Sequence, residues 1–274
     1  MYELRGIRKV FADGEIALDG ISLTVGAGEQ VAFIGPSGAG KTTLFRILNL
    51  TVRPTEGGLV FEGQEVSARS DAELRRLRTR IGTIYQLHNL VGRLRVVHNV
   101  LAGNLGRWST VTALTSLVRP RGVGGAARAL EQVGMPEKLW ARTDELSGGQ
   151  QQRVAIARVL VQNPDVILAD EPVSSVDPSL AVTIVSLLRD LSHQRGKTLL
   201  INLHSVDLAL NYFPRIVGIR DGRLQFDLAP DQVSAELLAE LYAGHRDEER
   251  ELERFQDGKS PFGGACRPLA NFAK

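Results

Sequence analysis

The stretch FIGPSGAGKTT, Phe33 to Thr43, constrains the fold more than any other part of the chain. Gly35, Gly38 and Gly40 stand just before Lys41, with Pro36, Ser37 and Ala39 between them. Glycine loses more backbone freedom on ordering than any other residue, so this density marks a place where bare backbone is required. Ahead of it, Val31 to Ile34 is a short apolar run typical of a buried strand. Behind it, Leu44, Phe45, Ile47 and Leu48 recur at helical spacing until Pro54 forbids continuation. Strand, glycine turn and helix in that order are the context that G-x-x-x-x-G-K-[ST] demands, here Gly35, Gly40, Lys41 and Thr42. Without side chains in the way, successive backbone N–H groups can surround a β-phosphate, and the helix N-terminus adds unpaired donors and partial positive charge. Lys41 would reach the β- and γ-phosphates, the Thr42 hydroxyl would ligate Mg²⁺, and Thr43 would bond the α-phosphate.

The remaining pattern is that of an α/β protein. Tyr2 to Val25 mixes short apolar alternations with Asp13-Gly14 and Asp19-Gly20, which reads as antiparallel strands and turns. Ser70 and Glu73 form a capping-box pattern that opens a helix leading to a strand, Ile81 to Tyr85. From about Leu87 to Asp144 the chain is helix-like but broken, with Arg119 to Gly125 read as an exposed flexible connection. A helix from about Gln150 ends at Pro164. A strand (Val166 to Ala169), a helix (Leu180 to Leu191), a strand (Leu199 to Leu203) and a hairpin turning at Asp221-Gly222 follow. Apolar strands alternating with amphipathic helices imply a mainly parallel sheet covered on both faces. The expected organisation is therefore one α/β unit over residues 1–242, a helical subdomain inserted at about 87–144, and a charged extension over 243–274. The first part of that extension reads as a charged helix and the rest as poorly ordered.

Composition excludes more than it selects. The formal charge is +2, from 33 Lys and Arg against 31 Asp and Glu, so bulk electrostatics imply no nucleic-acid partner. One cysteine, Cys266, permits no intrachain disulfide and fits a reducing compartment. No apolar run approaches the roughly 18 residues of a spanning helix, so any membrane part would come from another chain.

A second anion-ready helix start lies at LSGGQ, where Ser147, Gly148 and Gly149 precede Gln150 and a helix with Val154, Ala157 and Val161 on one face. With this motif the sequence closely resembles the nucleotide-binding subunits of ABC transporters, over roughly Tyr2 to Tyr242. The resemblance implies a P-loop ATPase fold in which two copies, or a copy and a paralogue, sandwich two ATPs head to tail. Ser147, Gly148, Gly149 and Gln150 would then contact the γ-phosphate held by the partner's Lys41. In VILADEP, Asp170 resembles the Mg²⁺-associated carboxylate and Glu171 the general base that orients the attacking water. Adjacent strand residues face opposite ways, so the two carboxylates are expected to divide these roles. His204 resembles the switch histidine, and Gln86 the glutamine that joins the metal site to the helical subdomain. Ser174 to Asp177, reading SSVD, resembles the loop joining the two active sites, with Val176 where leucine is usual. Phe11 stands where an aromatic stacks on adenine.

The segment QLHNLVGRLRVVHNVLAGNLGR, Gln86 to Arg107, resembles the phosphonate-import branch of the family. That implies membrane permease subunits, a separate substrate-binding protein and a place at the cytoplasmic face of the membrane. Phosphonate, phosphite and phosphate-ester cargo are left undivided, because none touches this chain. Rival readings are an ABC ATPase of an importer or exporter for another cargo, a soluble ABC ATPase acting on nucleic acid or ribosomes, and a nucleotide kinase.

Overall fold

In the computed structural model, residues 1–86, 89–174 and 176–245 are described, together with Glu248 to Arg250, Leu252, Arg254 and Phe262. Strands β1 (Tyr2–Val10) and β2 (Ile16–Val25) form an antiparallel hairpin around Asp13-Gly14, closed by the Phe11 N–H donating to the Glu15 carbonyl at 2.9 Å. After β3 (Gln30–Ile34) and α1 (Lys41–Leu48), the chain returns as β4 (Glu56–Phe61) and β5 (Gln64–Glu65). These complete a four-stranded antiparallel sheet in the order β2-β1-β4-β5. The sequence reading missed its second half, because Glu56-Gly57-Gly58 gives no strand pattern.

Next come α2 (Asp71–Arg78), β6 (Ile81–Ile84), α3 (Val96–Leu101), α4 (Thr110–Val118), α5 (Val123–Gln132) and α6 (Gly148–Gln162). The Ser70 and Glu73 capping box is present: the Glu73 carboxylate accepts from the Ser70 N–H at 3.0 Å. The connection read as Arg119 to Gly125 is shorter. Gly122, at φ +83°, caps α5, and Gly124 and Gly125 lie in its first turn. The Gly125 N–H closes that turn by donating to the Gly122 carbonyl at 2.8 Å. Helix α6 closes at Asn163, whose φ of +46° is left-handed, one residue before Pro164.

The chain then runs through β7 (Val166–Asp170), α7 (Pro178–Gln194), β8 (Thr198–Asn202), α8 (Val206–Tyr212), β9 (Arg215–Arg220), β10 (Arg223–Leu228) and α9 (Ala235–Tyr242). The second sheet has the order β10-β9-β3-β8-β7-β6 and is parallel except for its terminal β9-β10 hairpin. Its central strands are buried throughout, and side-chain alternation divides the core in two. Val31 and Phe33 of β3 face α1 and the antiparallel sheet, while Ala32 and Ile34 face the layer containing α6 and α7. Parallel strands gather their C-terminal ends along one edge, the place where open α/β sheets bind ligands. Glu248 to Arg250, Leu252 and Arg254 are helical, and Leu252 is buried. The remainder of the charged extension, Cys266 included, lies outside the described residues.

Candidate nucleotide site

Three segments that leave the C-terminal ends of the parallel strands β3, β7 and β8 build the site, beside the β1–β2 hairpin. After β3, the backbone turns through Gly35, Gly38 and Gly40, at φ +147°, +81° and +96°. A Cβ on Gly35 would lie 1.9 Å from the Ile219 carbonyl oxygen, and one on Gly40 would lie 2.3 Å from that of Ala17. Only glycine fits either place, so the loop is held against β9 and β2 and still presents bare backbone to the cleft. Helix α1 starts without any side-chain cap. Its first N–H groups are therefore left for a ligand.

Lys41 is buried, and its ammonium donates to the carbonyls of Gly35 at 2.6 Å and Pro36 at 2.9 Å. Burial lowers its pKa to about 8, against the raising influence of Glu171, Asp170 and Glu248. The loop thus holds a cation that gains from an arriving anion. Thr42 Oγ1 lies 3.4 Å from Asp170 Oδ1, long for an O–H···O bond. Burial raises the Asp170 pKa, opposed by the Asn202 amide, which donates to Oδ1 at 2.8 Å. A hydroxyl and a carboxylate oxygen are hard donors of the kind Mg²⁺ prefers. Among the described residues no cluster of three or more His, Cys, Asp or Glu could hold a metal alone. The pair therefore fits an ion whose other ligands are phosphate and water.

Glu171 has already left β7. Its φ of +50° is an uncommon conformation for a residue with a side chain, of a kind that clusters at functional sites. Strand β7 ends at Asp170, so the two carboxylates are separated by this left-handed turn and not by strand pleating. His204 Nε2 stands 2.8 Å from the Glu171 carboxylate, and that hydrogen bond holds the Glu171 pKa below its ordinary value against burial. Phe11, Ser37, Gly38, Ala39, Gly40, Lys41, Thr42, Thr43, Glu171 and His204 line one cleft of about 430 Å³.

Other expected residues lie elsewhere. Gln86 is exposed and does not line the cleft; Leu87 and His88 after it lie outside the described residues. Ser147 caps α6 through a complete capping box with Gln150. Asp177 caps α7, its Oδ1 accepting from the Leu180 N–H at 3.0 Å and from the Ser179 hydroxyl at 2.7 Å. A Cβ on Gly149 would lie 2.2 Å from Leu180 Cδ2, so these two helix starts adjoin each other. They do not line the Lys41 cleft of the same chain. Ser175, inside SSVD, lies outside the described residues.

Sequence reasoning missed Glu15, Ala17 and Arg46 in the cleft wall, and Asn202 beside Asp170. An asparagine ending the apolar run TLLIN was the available signal for Asn202. It also missed Glu248, whose carboxylate accepts from the Ser37 N–H at 3.2 Å.

A glycine cradle, a buried lysine, a hydroxyl–carboxylate pair and a histidine-held glutamate at the edge of a parallel sheet define a P-loop nucleoside-triphosphate site. Residues 18–174 match the ABC transporter family model. The chain belongs to the ABC transporter family, as an ATP-binding and ATP-hydrolysing cassette. It is 49% identical over 258 residues to phosphonates import ATP-binding protein PhnC 2 of Pseudomonas aeruginosa, covering 94% of this chain and 96% of that one. It is 42% identical to phosphonates import ATP-binding protein PhnC 3 of Halalkalibacterium halodurans, covering 94% of this chain and all of that one. Among solved structures, the dimer of MJ0796, a bacterial ABC transporter cassette, superposes with a TM-score of 0.73 at 31% identity, covering 84% of this chain and 99% of that one. CbiO1 of Clostridium perfringens, part of the ABC transporter complex cbiONQ, gives 0.74 at 26% identity, covering 92% and 98%.

Proposed function

We propose that the chain powers import of phosphonate- or phosphite-type oxyanions by binding and hydrolysing MgATP on behalf of separate membrane permease subunits. The observation that carries the catalytic part is the placement of Lys41, Glu171 and His204 around one cleft beside the Thr42–Asp170 pair. The cargo rests on the similarity to phosphonate-import proteins over 94% of the chain.

In this reading residues 1–242 form the cassette, with the helical part at about 87–144 inserted in it. The glycine loop and Lys41 hold the β- and γ-phosphates, and Phe11 packs on the base. Thr42, Asp170 and Gln86 would hold Mg²⁺, and the ion would neutralise phosphate charge. Glu171 accepts a proton from the attacking water while His204 keeps its carboxylate aimed. Most of the rate enhancement comes from charge already in position, since phosphoryl transfer asks for little covalent chemistry.

Ser147, Gly148, Gly149, Gln150 and Asp177 stand away from their own chain's cleft, which supports a head-to-tail dimer in which they serve the partner's nucleotide. No described helix is long and apolar enough to cross a membrane. The chain would then attach peripherally, at the cytoplasmic face, to permease subunits fed by a substrate-binding protein. Reconstitution with permease and binding protein from the same genome tests the cargo. Methylphosphonate or phosphite should stimulate ATPase activity where sulfate does not. Stimulation by an unrelated solute alone would overturn the cargo and leave the ATPase standing.

A further inference from the structure

Helix α4 is inside out for a helix in water. Val111, Leu114, Leu117 and Val118 are 71%, 61%, 52% and 90% exposed, while its buried residue is Ser116. At 100° per residue the four aliphatic side chains fall within an arc of about 120°, with Ser116 on the opposite side. Leu105, just ahead of the helix, is also exposed. A surface helix normally turns its apolar stripe inward and its serine and threonine outward. A contiguous exposed stripe of this kind marks an interaction surface.

The charge around it says what the surface meets. Between Glu73 and Glu131 the chain carries ten arginines and neither aspartate nor glutamate. The rest of the chain holds 23 basic residues against 31 acidic ones, so the overall +2 conceals a strong division along the sequence, although Arg80 of this run pairs with Glu62 and Asp165. Arg107 precedes α4, Arg119 and Arg121 follow it, and all three are exposed. None of the three pairs with a carboxylate among the described residues. The helix itself has no charged residue.

We infer that α4 and its flanking arginines form a docking surface for an anionic lipid bilayer. The aliphatic stripe enters the acyl–headgroup boundary and the arginines reach the lipid phosphates. Nine residues are too few to span, so the helix lies in the interface plane. Neither component suffices alone. A short stripe partitions weakly, and basic residues near an anionic surface each add modestly, so binding requires both together. An apolar groove on a protein partner would account for the stripe but not for the three exposed arginines flanking it without a carboxylate partner among the described residues. The inference does not depend on the cargo, and it orients the cassette with α4 toward the membrane that the permease occupies.

The test is co-sedimentation of the purified full chain with vesicles of phosphatidylcholine, with or without phosphatidylglycerol. Partitioning should be at least about tenfold stronger with the anionic lipid and should weaken in high salt. The double variant Leu114→Ser/Val118→Ser should lose about tenfold or more of that partitioning while keeping wild-type ATPase activity and circular dichroism. The reversal Arg119→Glu/Arg121→Glu should remove the preference for anionic lipid. Equal partitioning to both vesicle types, or wild-type partitioning by the serine variant, would overturn the inference. So would a chain that ignores vesicles but loses its permease on the Leu114 and Val118 substitutions, which would assign the stripe to a protein partner.

Discussion

The molecule has two helix starts suited to phosphate, and they are built in opposite ways. Helix α1 begins in a loop that glycine alone can form, with no side-chain cap and a buried ammonium beneath it. Helix α6 begins at Ser147, whose hydroxyl accepts from the Gln150 N–H at 3.4 Å while the Gln150 amide accepts from the Ser147 N–H at 3.1 Å. The first start is left open and becomes complete only with a ligand. The second satisfies much of itself and is stable unliganded. The difference suits the roles proposed for them: one cleft would hold a triphosphate for a whole cycle, while the other surface would meet it and let go.

The largest effect is expected on turnover at the first start. Glu171→Gln removes the proposed proton acceptor but preserves shape, so single-turnover hydrolysis should fall by about 10²- to 10⁴-fold with ATP affinity retained. Hydrolysis near the wild-type rate would remove Glu171 from its assigned role. Next comes Gly35→Ala. Its Cβ would meet the Ile219 carbonyl oxygen at 1.9 Å in a backbone conformation that side chains rarely adopt, so a loss of roughly 3 kcal/mol or more is expected in urea melts. At the second start, Gly148→Ala meets nothing within 4 Å and should leave the isolated fold intact. Equal damage from both glycine substitutions would erase the contrast between an over-determined loop and an open helix end.

The contrast also has a pH signature. Lys41, lowered to about 8, releases a proton above that pH that a bound phosphate would retain. ATP affinity should therefore fall by up to about tenfold per pH unit above 8, as measured by calorimetry. The nucleotide-free fold should respond with the opposite sign. A lysine whose folded pKa lies below its unfolded value of 10.5 binds fewer protons when folded, so this contribution to stability rises between about pH 8 and 10.5. The second start has no such group, and an affinity flat through this range would show that Lys41 does not meet the phosphates as a cation.

How much of this was legible in the sequence depended on whether the cause was local. The glycine loop, the Ser70 capping box and the parallel core strands follow from residues adjacent in the chain. The left-handed turn at Glu171 was not legible: its N–H still makes the last ladder bond, to the Asn202 carbonyl at 3.2 Å, and only its φ of +50° shows that the strand has ended. The strand Glu56–Phe61 was hidden by two glycines, the first of which sits where a Cβ would meet the Gly6 carbonyl at 2.4 Å. Glu248 reaches Ser37 across 211 residues, and no pattern in the neighbourhood of either announces it. The exposed stripe on α4 was unreadable for a different reason. Periodicity finds an apolar face, but only the packing tells whether that face looks inward.

The smallest expected effect is the most discriminating. Ser147→Ala deletes an N-cap whose bond to Gln150 is already long, so the isolated chain should lose no more than about 1 kcal/mol. As a cap the hydroxyl accepts, which leaves its proton free to donate to a phosphate oxygen brought by a second copy. The same substitution should then lower dimer-dependent ATPase activity by well over the roughly fivefold that 1 kcal/mol represents, while urea melts barely change. If activity and stability instead fall together, the serine serves only its own helix. The second phosphate-ready start would then be an ordinary helix beginning, and the head-to-tail pairing would lose the residue on which it most depends.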